Sequence, residues 1–246
     1  MLAVILKDLR YYANSRRYRR IQFIVLCTLA FILFVATFEF YAHRRTVGTI
    51  DVGKQTYTLF VIALFVLQFL VPRHTVEALY MERGYLKADG QNGAILVLAP
   101  LANWEILMGK LIAVVFWTTW GILLTAPLLA LSSYIGGLAL SQWARCGVVL
   151  LMSCIFFALV GIAVALWTSP TRAKGISYGL VLLMTFAPLI PSPLFEGIPM
   201  LAAISPLCAL WSILEADPTN LWVWNIGLFC GLSVLIFPVL VKWLRF

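Results

Sequence analysis

Long stretches without charged residues constrain the fold of this chain more than any other feature. An apolar helix needs about 20 residues to cross the ~30 Å hydrocarbon layer of a bilayer. The chain has six such stretches, which predict membrane spans 1 to 6 over residues 21–41, 55–72, 105–131, 146–168, 174–190 and 221–243. Of the 246 residues, 63% are hydrophobic and 11% are charged, whereas roughly 25% are charged in a soluble domain. We therefore expect an all-α polytopic membrane protein with six transmembrane helices, not a soluble enzyme.

Lys and Arg are distributed unevenly between the two sides of this predicted arrangement. Cytoplasmic loops carry an excess of these residues. With the N-terminus inside, 14 of the 18 Lys and Arg residues fall on the cytoplasmic side, and Arg44, Arg45, Lys54 and Arg145 fall outside. Both termini are therefore expected to be cytoplasmic. Because the basic residues lie between long apolar runs and not on one soluble face, the net charge of +8 does not indicate a nucleic-acid partner.

Residues 191–220, between spans 5 and 6, are the one ambiguous region. An uncharged run of 18 residues within them is nearly long enough to cross a bilayer. Pro199 and Pro206, however, each remove a backbone hydrogen bond from a helix interior. A seventh span would also place Lys242 and Arg245 outside. We therefore predict a re-entrant hairpin at the outer side of the membrane.

Residues 1–20 are predicted to form an amphipathic helix that lies in the lipid interface. Its apolar side chains recur at helical spacing: Leu2, Ile5, Leu6 and Leu9. Such a helix directs its cations toward anionic head groups, which makes membrane lipids an expected partner. The candidate lipid-binding cations are Lys7, Arg10, Arg16 and Arg17. The alternative is a flanking segment that only fixes the topology of span 1.

The segment 73–104 is the longest predicted cytoplasmic connection. An apolar stripe predicts a second amphipathic helix there, in the position of a coupling helix between spans 2 and 3: Val76, Leu79 and Tyr80. Asn103 is the expected N-cap of the next helix, and Glu105 suits its first turn. A helix that lies under the membrane can receive force from a soluble partner. The alternative is a peripheral anchor.

The sequence contains no nucleotide-binding or metal-binding motif. A G-x-x-x-x-G-K-[ST] loop is absent, so any ATP would have to be bound by another chain. The two histidines, His43 and His74, fall on opposite sides of the predicted membrane, and no metal site is expected. Glu39, at the edge of span 1, is the candidate ion-coupling residue; the alternative is an interfacial carboxylate near Arg44 or Arg45. We expect neither enzymatic activity nor a cofactor on this chain.

Several motifs together resemble those of ABC-2 type transporter permeases. The segment PLANWEILMGK, which ends at Lys110, resembles the family's TPL-x-x-x-E-I-L-x-G-K signature. The N-terminal KDLR, followed by SRR from Ser15, is similar to the family's K-E-L-R…S-R-R opening. The segment SPLCAL, which starts at Ser205, is similar to the N-P-x-x-A-L element before the last span. Glu82 and Arg83 lie where these permeases carry an acidic and a basic residue.

This resemblance implies the transmembrane subunit of an ATP-driven exporter in the bacterial cytoplasmic (inner) membrane. Two ATP-binding subunits, with their ATP and Mg²⁺, would dock on the cytoplasmic side, and the permease would pair with a second copy or a sister permease. The resemblance also implies an ATPase interface after span 2, with the candidate residues Glu77, Tyr80, Glu82, Arg83, Gly84 and Lys87. The main alternative is a membrane anchor or scaffold that recruits a cytoplasmic complex without transport. The sequence does not indicate the substrate.

Overall fold

The helices of this chain were located in a computed structural model, which describes residues 2–14, 16–42, 58, 61, 70–80, 102–136, 139–186, 188, 202–215 and 220–243. The helices are α1 (Leu2–Asn14), α2 (Arg16–Ala42), α3 (70–80), α4 (Asn103–Gly136), α5 (Leu140–Trp167), α6 (Pro170–Phe186), α7 (Pro206–Leu214) and α8 (Leu221–Trp243). Every regular element in these ranges is helical. The predicted all-α class is therefore confirmed for the described part of the chain. Most of the predicted span 2 and residues 81–101 lie outside it.

Two of the helices are long and apolar enough to cross a membrane. They run over Ser141–Trp167, within α5, and over Leu221–Trp243, which is α8. Helix α5 is central, because it contacts α4, α6, α7 and α8. In the most apolar 18-residue stretch of α5, 61% of the residues are buried, whereas in that of α8 only 17% are buried. Among the described residues, two helices thus have the length and composition of membrane spans, and few residues of α8 are buried.

Aromatic rings join α5 to α8. The rings of Phe156 and Phe229 stack with their centroids 4.7 Å apart and their planes 7° from parallel. Phe157 meets Phe229 edge-on at a centroid distance of 5.9 Å. Closer to the start of both helices, the Arg145 guanidinium lies 5.1 Å from the centre of the Trp222 ring. Offset aromatic pairs and cation–π contacts are each favourable beyond the area they bury, so they fix α8 on α5.

Gly161 lets α3 approach α5 closely. A Cβ atom at this position would lie 2.8 Å from the Pro72 carbonyl oxygen and would collide with Thr75 Oγ1. Because glycine lacks that atom, Val76 and Leu79 of α3 can enter a buried cluster formed with α4 and α5. The apolar stripe predicted on this helix therefore packs inside the chain, and neither of these two side chains is left for a lipid surface.

The start of α4 differs by one residue from the prediction. The Ile106 N–H donates to the Ala102 carbonyl at 3.3 Å, which makes Ala102, not Asn103, the cap residue. Glu105 accepts a hydrogen bond from the Ala102 N–H at 3.1 Å, as the acid of a capping box does. The Asn103 amide instead donates to the Val241 carbonyl, 3.4 Å away near the end of α8. Asn103 therefore connects two helices.

The described part of the predicted outer hairpin contains the short helix α7. Ser205 caps this helix, since its Oγ accepts a hydrogen bond from the Cys208 N–H at 3.3 Å, and Pro206 occupies the first turn. Both residues are favoured at these positions. With nine residues, α7 is about 14 Å long and too short to cross a bilayer. Residues 191–201 and 216–219 of the predicted hairpin lie outside the described ranges.

Candidate functional site

Glu77 links the described end of the predicted cytoplasmic segment to α6. Its Oε1 accepts a hydrogen bond from Arg73 Nε at 3.0 Å, one turn earlier in α3. The same oxygen accepts a hydrogen bond from Lys174 Nζ at 2.9 Å, in the first turns of α6. Charge-assisted bonds of this kind are stronger than neutral ones. The bond from Lys174 holds α3 against α6 at the end of the molecule predicted to face the cytoplasm.

The charge state of Glu77 follows from these two partners. Burial alone would raise the pKa of the carboxyl, because it disfavours the ionised form. Hydrogen bonds from Lys174 and then Arg73 outweigh burial and lower the pKa below its usual value. Glu77 is therefore ionised at neutral pH, and the link between α3 and α6 is a genuine ion pair.

Tyr80 closes the carboxyl end of α5. Its hydroxyl lies 2.9 Å from the Ala165 carbonyl oxygen and also contacts the Thr168 carbonyl oxygen. The last carbonyls of a helix lack partners within that helix. The phenol hydroxyl has one proton to donate, and from its single position it lies within reach of both carbonyl oxygens. Tyr80 thereby fixes α3 to the turn between α5 and α6.

A second ion pair joins the N-terminal helix α1 to α4. Lys110 Nζ lies 3.6 Å from Asp8 Oδ2, and the two side chains are only 2% and 9% exposed, respectively. Beside this pair, Leu9 and Trp117 pack against the buried Ala113. Removing one member of a buried pair leaves an uncompensated charge and costs about 3–5 kcal/mol. The position of α1 is therefore strongly determined by the first turns of α4.

The outward face of α1 combines apolar and basic side chains. Leu2 is 70% exposed and Leu6 is also exposed, and so are the predicted lipid-binding cations Lys7 and Arg10. Arg16 is exposed as well, at the start of α2. Of the predicted stripe, Leu2 and Leu6 are exposed and Ile5 and Leu9 are half-buried, while Val4 and Asp8 are buried against the rest of the chain. A buried aspartate is tolerated there because Lys110 neutralises it.

His74 is buried in α3 beside the Arg73–Glu77 pair. Burial, the largest effect, lowers its pKa to about 3, so the imidazole is neutral under physiological conditions. Among the described residues, no group of three or more His, Cys, Asp or Glu side chains is placed to hold a metal ion. His74 therefore belongs to the packing of α3.

The structure describes the contacts of some predicted site residues, whereas others lie outside the described residues. Glu77 and Tyr80 bind other helices of the same chain, one turn apart on α3. Glu82, Arg83, Gly84 and Lys87 lie outside the described residues. Arg17 and Glu39 belong to α2, but their side chains are outside the described ones.

Three residues of these links were not among the sequence-based site candidates: Asp8, Lys110 and Lys174. Lys110 carries a recognisable signal, because it is the last charge before the uncharged residues 111–144. Asp8 and Lys174 carry none, since their partners are distant in sequence. No protein-family model and no curated protein matches this sequence.

Proposed function

We propose that this chain is the transmembrane permease subunit of an ATP-driven ABC exporter of the ABC-2 type. One observation supports the proposal most. The two elements predicted to lie on the cytoplasmic side, α1 and α3, are each joined by an ion pair to the first turns of a helix predicted to cross the membrane: Asp8–Lys110 to α4 and Glu77–Lys174 to α6. A force applied to either element would therefore be passed into the membrane helices.

The proposal includes six membrane spans, with both termini in the cytoplasm of a bacterial cell. Its support is the length and surface of the helices beyond α5 and α8. Helix α2 has 27 residues and α4 has 34, or about 40 and 50 Å. Large apolar side chains project outward from α2, α4 and α6, among them Phe31, Leu123 and Leu183. Contiguous exposed apolar surface of this kind needs a bilayer to cover it.

The absence of a nucleotide-binding motif from the sequence indicates that ATP would be bound by other subunits. Without a phosphate-binding loop of its own, the chain would take its energy from two separate ATP-binding subunits that carry ATP and Mg²⁺. Those subunits would contact the segment after α3, which contains Glu82, Arg83, Gly84 and Lys87. Glu77 would hold the start of that segment on α6, and Tyr80 would hold it on the end of α5. A second permease, identical or related, would complete the transporter.

The outward face of α1 would rest on anionic lipid. Lys7 and Arg10 are exposed beside the exposed Leu2 and Leu6, and Arg16 is exposed at the start of α2. This combination suits a helix that lies in the interface, with its apolar side chains in the acyl region and its cations at the head groups. Since Asp8 fastens the opposite face to α4, lipid contact and the start of span 3 would be mechanically connected.

The test is affinity purification of the tagged chain from its native membrane in mild detergent, with identification of co-purifying proteins and an ATP hydrolysis assay. We expect a stoichiometric ATP-binding protein and ATPase activity. The double reversal Glu82→Lys with Arg83→Glu should release that protein. A matched double reversal on the predicted outer side, Arg44→Glu with Arg45→Glu, should retain it.

Two results would contradict the proposal. A chain that purifies without any nucleotide-binding protein, even after crosslinking, cannot be an ABC permease. A cytoplasmic complex that co-purifies without a nucleotide-binding subunit would support the alternative function, a membrane anchor or scaffold. Loss of the partner in the Arg44 and Arg45 variant but not in the Glu82 and Arg83 variant would reverse the proposed orientation.

A further inference from the structure

An apolar cavity of about 430 Å³ lies against α7 and has no part in the proposed coupling to an ATPase. Its volume is within the range of roughly 300–1,000 Å³ that is usual for small-molecule sites. The walls come from α7, from the start of α8 and from the region of the predicted span 2, and they include Val61, Leu207, Leu210, Trp211, Leu214 and Leu221. Trp211 is half exposed, so the cavity reaches the molecular surface beside it.

The few polar groups in the cavity wall already have partners in the protein. Ser212 Oγ donates to the Ala209 carbonyl at 2.9 Å. The Cys208 N–H donates to Ser205 Oγ at 3.3 Å. Thr58 is likewise engaged within the chain. A buried water needs two to four polar partners, and this wall offers few places to hold one. The chemistry of the cavity therefore selects a hydrocarbon ligand.

The wall formed by α7 and the residues before it is hydrogen-bonded to three neighbouring helices. Gln142 Nε2 of α5 donates to the Ile213 carbonyl at 3.2 Å. Asn225 Nδ2 of α8 donates to the Ala203 carbonyl, just before α7, at 2.6 Å. Ser205 Oγ donates to the Thr185 carbonyl of α6, also at 2.6 Å. These side-chain bonds hold α7 and the residues before it in place, so the space cannot be removed by a simple inward shift of the helix.

The surroundings of the cavity opening indicate which ligand would fill it. Helix α8, which begins at Leu221 in the cavity wall, exposes Val223, Trp224, Val234 and Leu235 along its length. A bilayer that covers this surface brings acyl chains to the opening. Interiors are close-packed because an unfilled space forfeits dispersion contacts, and a dry apolar cavity binds hydrocarbon readily.

We propose that the cavity beside α7 binds the acyl chain of a membrane lipid. The chain enters past Trp211 and packs against Leu207, Leu210 and Leu214, while the lipid head group stays at the membrane surface. This inference rests on the part of the proposed function that places the chain in a bilayer. It does not depend on transport or on an ATPase.

The experiment uses the full chain in vesicles of phosphatidylethanolamine and phosphatidylglycerol that contain a phospholipid with a diazirine in one acyl chain. After illumination, labelled residues are mapped by mass spectrometry. We expect labels within residues 202–214 as well as on the exposed surface of α8 near Val234. Ala202→Phe, which fills the cavity, should lower labelling of α7 about tenfold and leave labelling of α8 unchanged.

Two further variants make the comparison specific. Leu207→Trp fills the same space from another wall and should act like Ala202→Phe. Val234→Phe adds similar bulk on the exposed side of α8 and should leave labelling of α7 unchanged. Gel filtration and the α8 labels report whether each variant is folded and inserted. If neither filled variant folds, the wild-type chain still decides the question through a matched phospholipid with its diazirine on the head group, which should label α7 much less.

Three outcomes would overturn the inference. In the first, α8 is labelled but α7 is not. In the second, α7 is labelled equally in folded Ala202→Phe and Leu207→Trp chains. In the third, the head-group probe labels α7 as strongly as the acyl-chain probe. Absence of label on α8 as well would refute membrane insertion itself, and that outcome would count against the proposed function too.

Discussion

The buried Asp8–Lys110 pair gives the sharpest prediction about stability. Lys110→Met keeps the volume of the side chain but removes its charge, which leaves Asp8 buried without its cation. At the observed separation of 3.6 Å, the lost attraction is about 5 kcal/mol at an effective dielectric constant of 20. Measured losses for broken buried pairs are about 3–5 kcal/mol. We expect the melting temperature in detergent, followed by fluorescence-detected gel filtration, to fall on the order of 10 °C.

Two companion variants separate the ion pair from a general effect of losing a lysine. Lys242→Met removes an exposed lysine from the last turn of α8 and should change the melting temperature by only about 1–2 °C. Asp8→Leu combined with Lys110→Met removes both charges and should recover most of the loss. The ion-pair account is refuted if Lys110→Met behaves like Lys242→Met, or if the double variant is no more stable than Lys110→Met.

Three further predictions concern α3 and use the same melting assay. Gly161→Leu should destabilise the chain strongly because its Cβ would lie 2.8 Å from the Pro72 carbonyl oxygen. Gly175→Ala, whose Cβ enters open space, should have little effect. Equal effects of the two substitutions would contradict the close packing of α3 on α5. Tyr80→Phe removes the hydroxyl that donates to carbonyls at the end of α5 and should cost about 1–2 kcal/mol. An unchanged melting temperature would show that this hydroxyl does not stabilise the fold. The folded-state pKa of His74, about 3, lies below its ordinary value of 6.5. The unfolded chain therefore binds the proton more readily, and stability should fall as the pH drops from 6.5 toward 3, by about 2 kcal/mol at pH 5. His74→Gln should reduce this loss, and an identical pH profile in the two chains would contradict the burial of His74.

The all-α class was predictable because long uncharged runs leave few alternatives to a helix. A stretch such as residues 221–243, which carries one charge, Lys242, near its end, has no other way to satisfy its backbone in an apolar medium than by forming a helix. Helix α8 occupies this stretch. Pro206 was predicted to interrupt a helix; it instead occupies the first turn of α7, after the cap residue Ser205, where a proline removes no intrahelical hydrogen bond.

The contacts that build the candidate site were not predictable in the same way. Helical periodicity assigns a charged residue such as Asp8 to the polar side of an amphipathic helix. Asp8 is buried because Lys110, 102 residues later, neutralises it. Glu77 was selected from its position in the family resemblance, but its partner Lys174 lies 97 residues away. Pairings of this range are set by how the helices pack, which a periodic pattern in one helix does not encode.

The central claim is that this chain works as the membrane half of an ATP-driven transporter. Native mass spectrometry of the complex extracted from its source membrane tests it most directly, because the method counts every subunit. The account predicts a particle with two permease chains and two ATP-binding subunits. A particle that contains this chain alone, or this chain with partners none of which binds ATP, would contradict it.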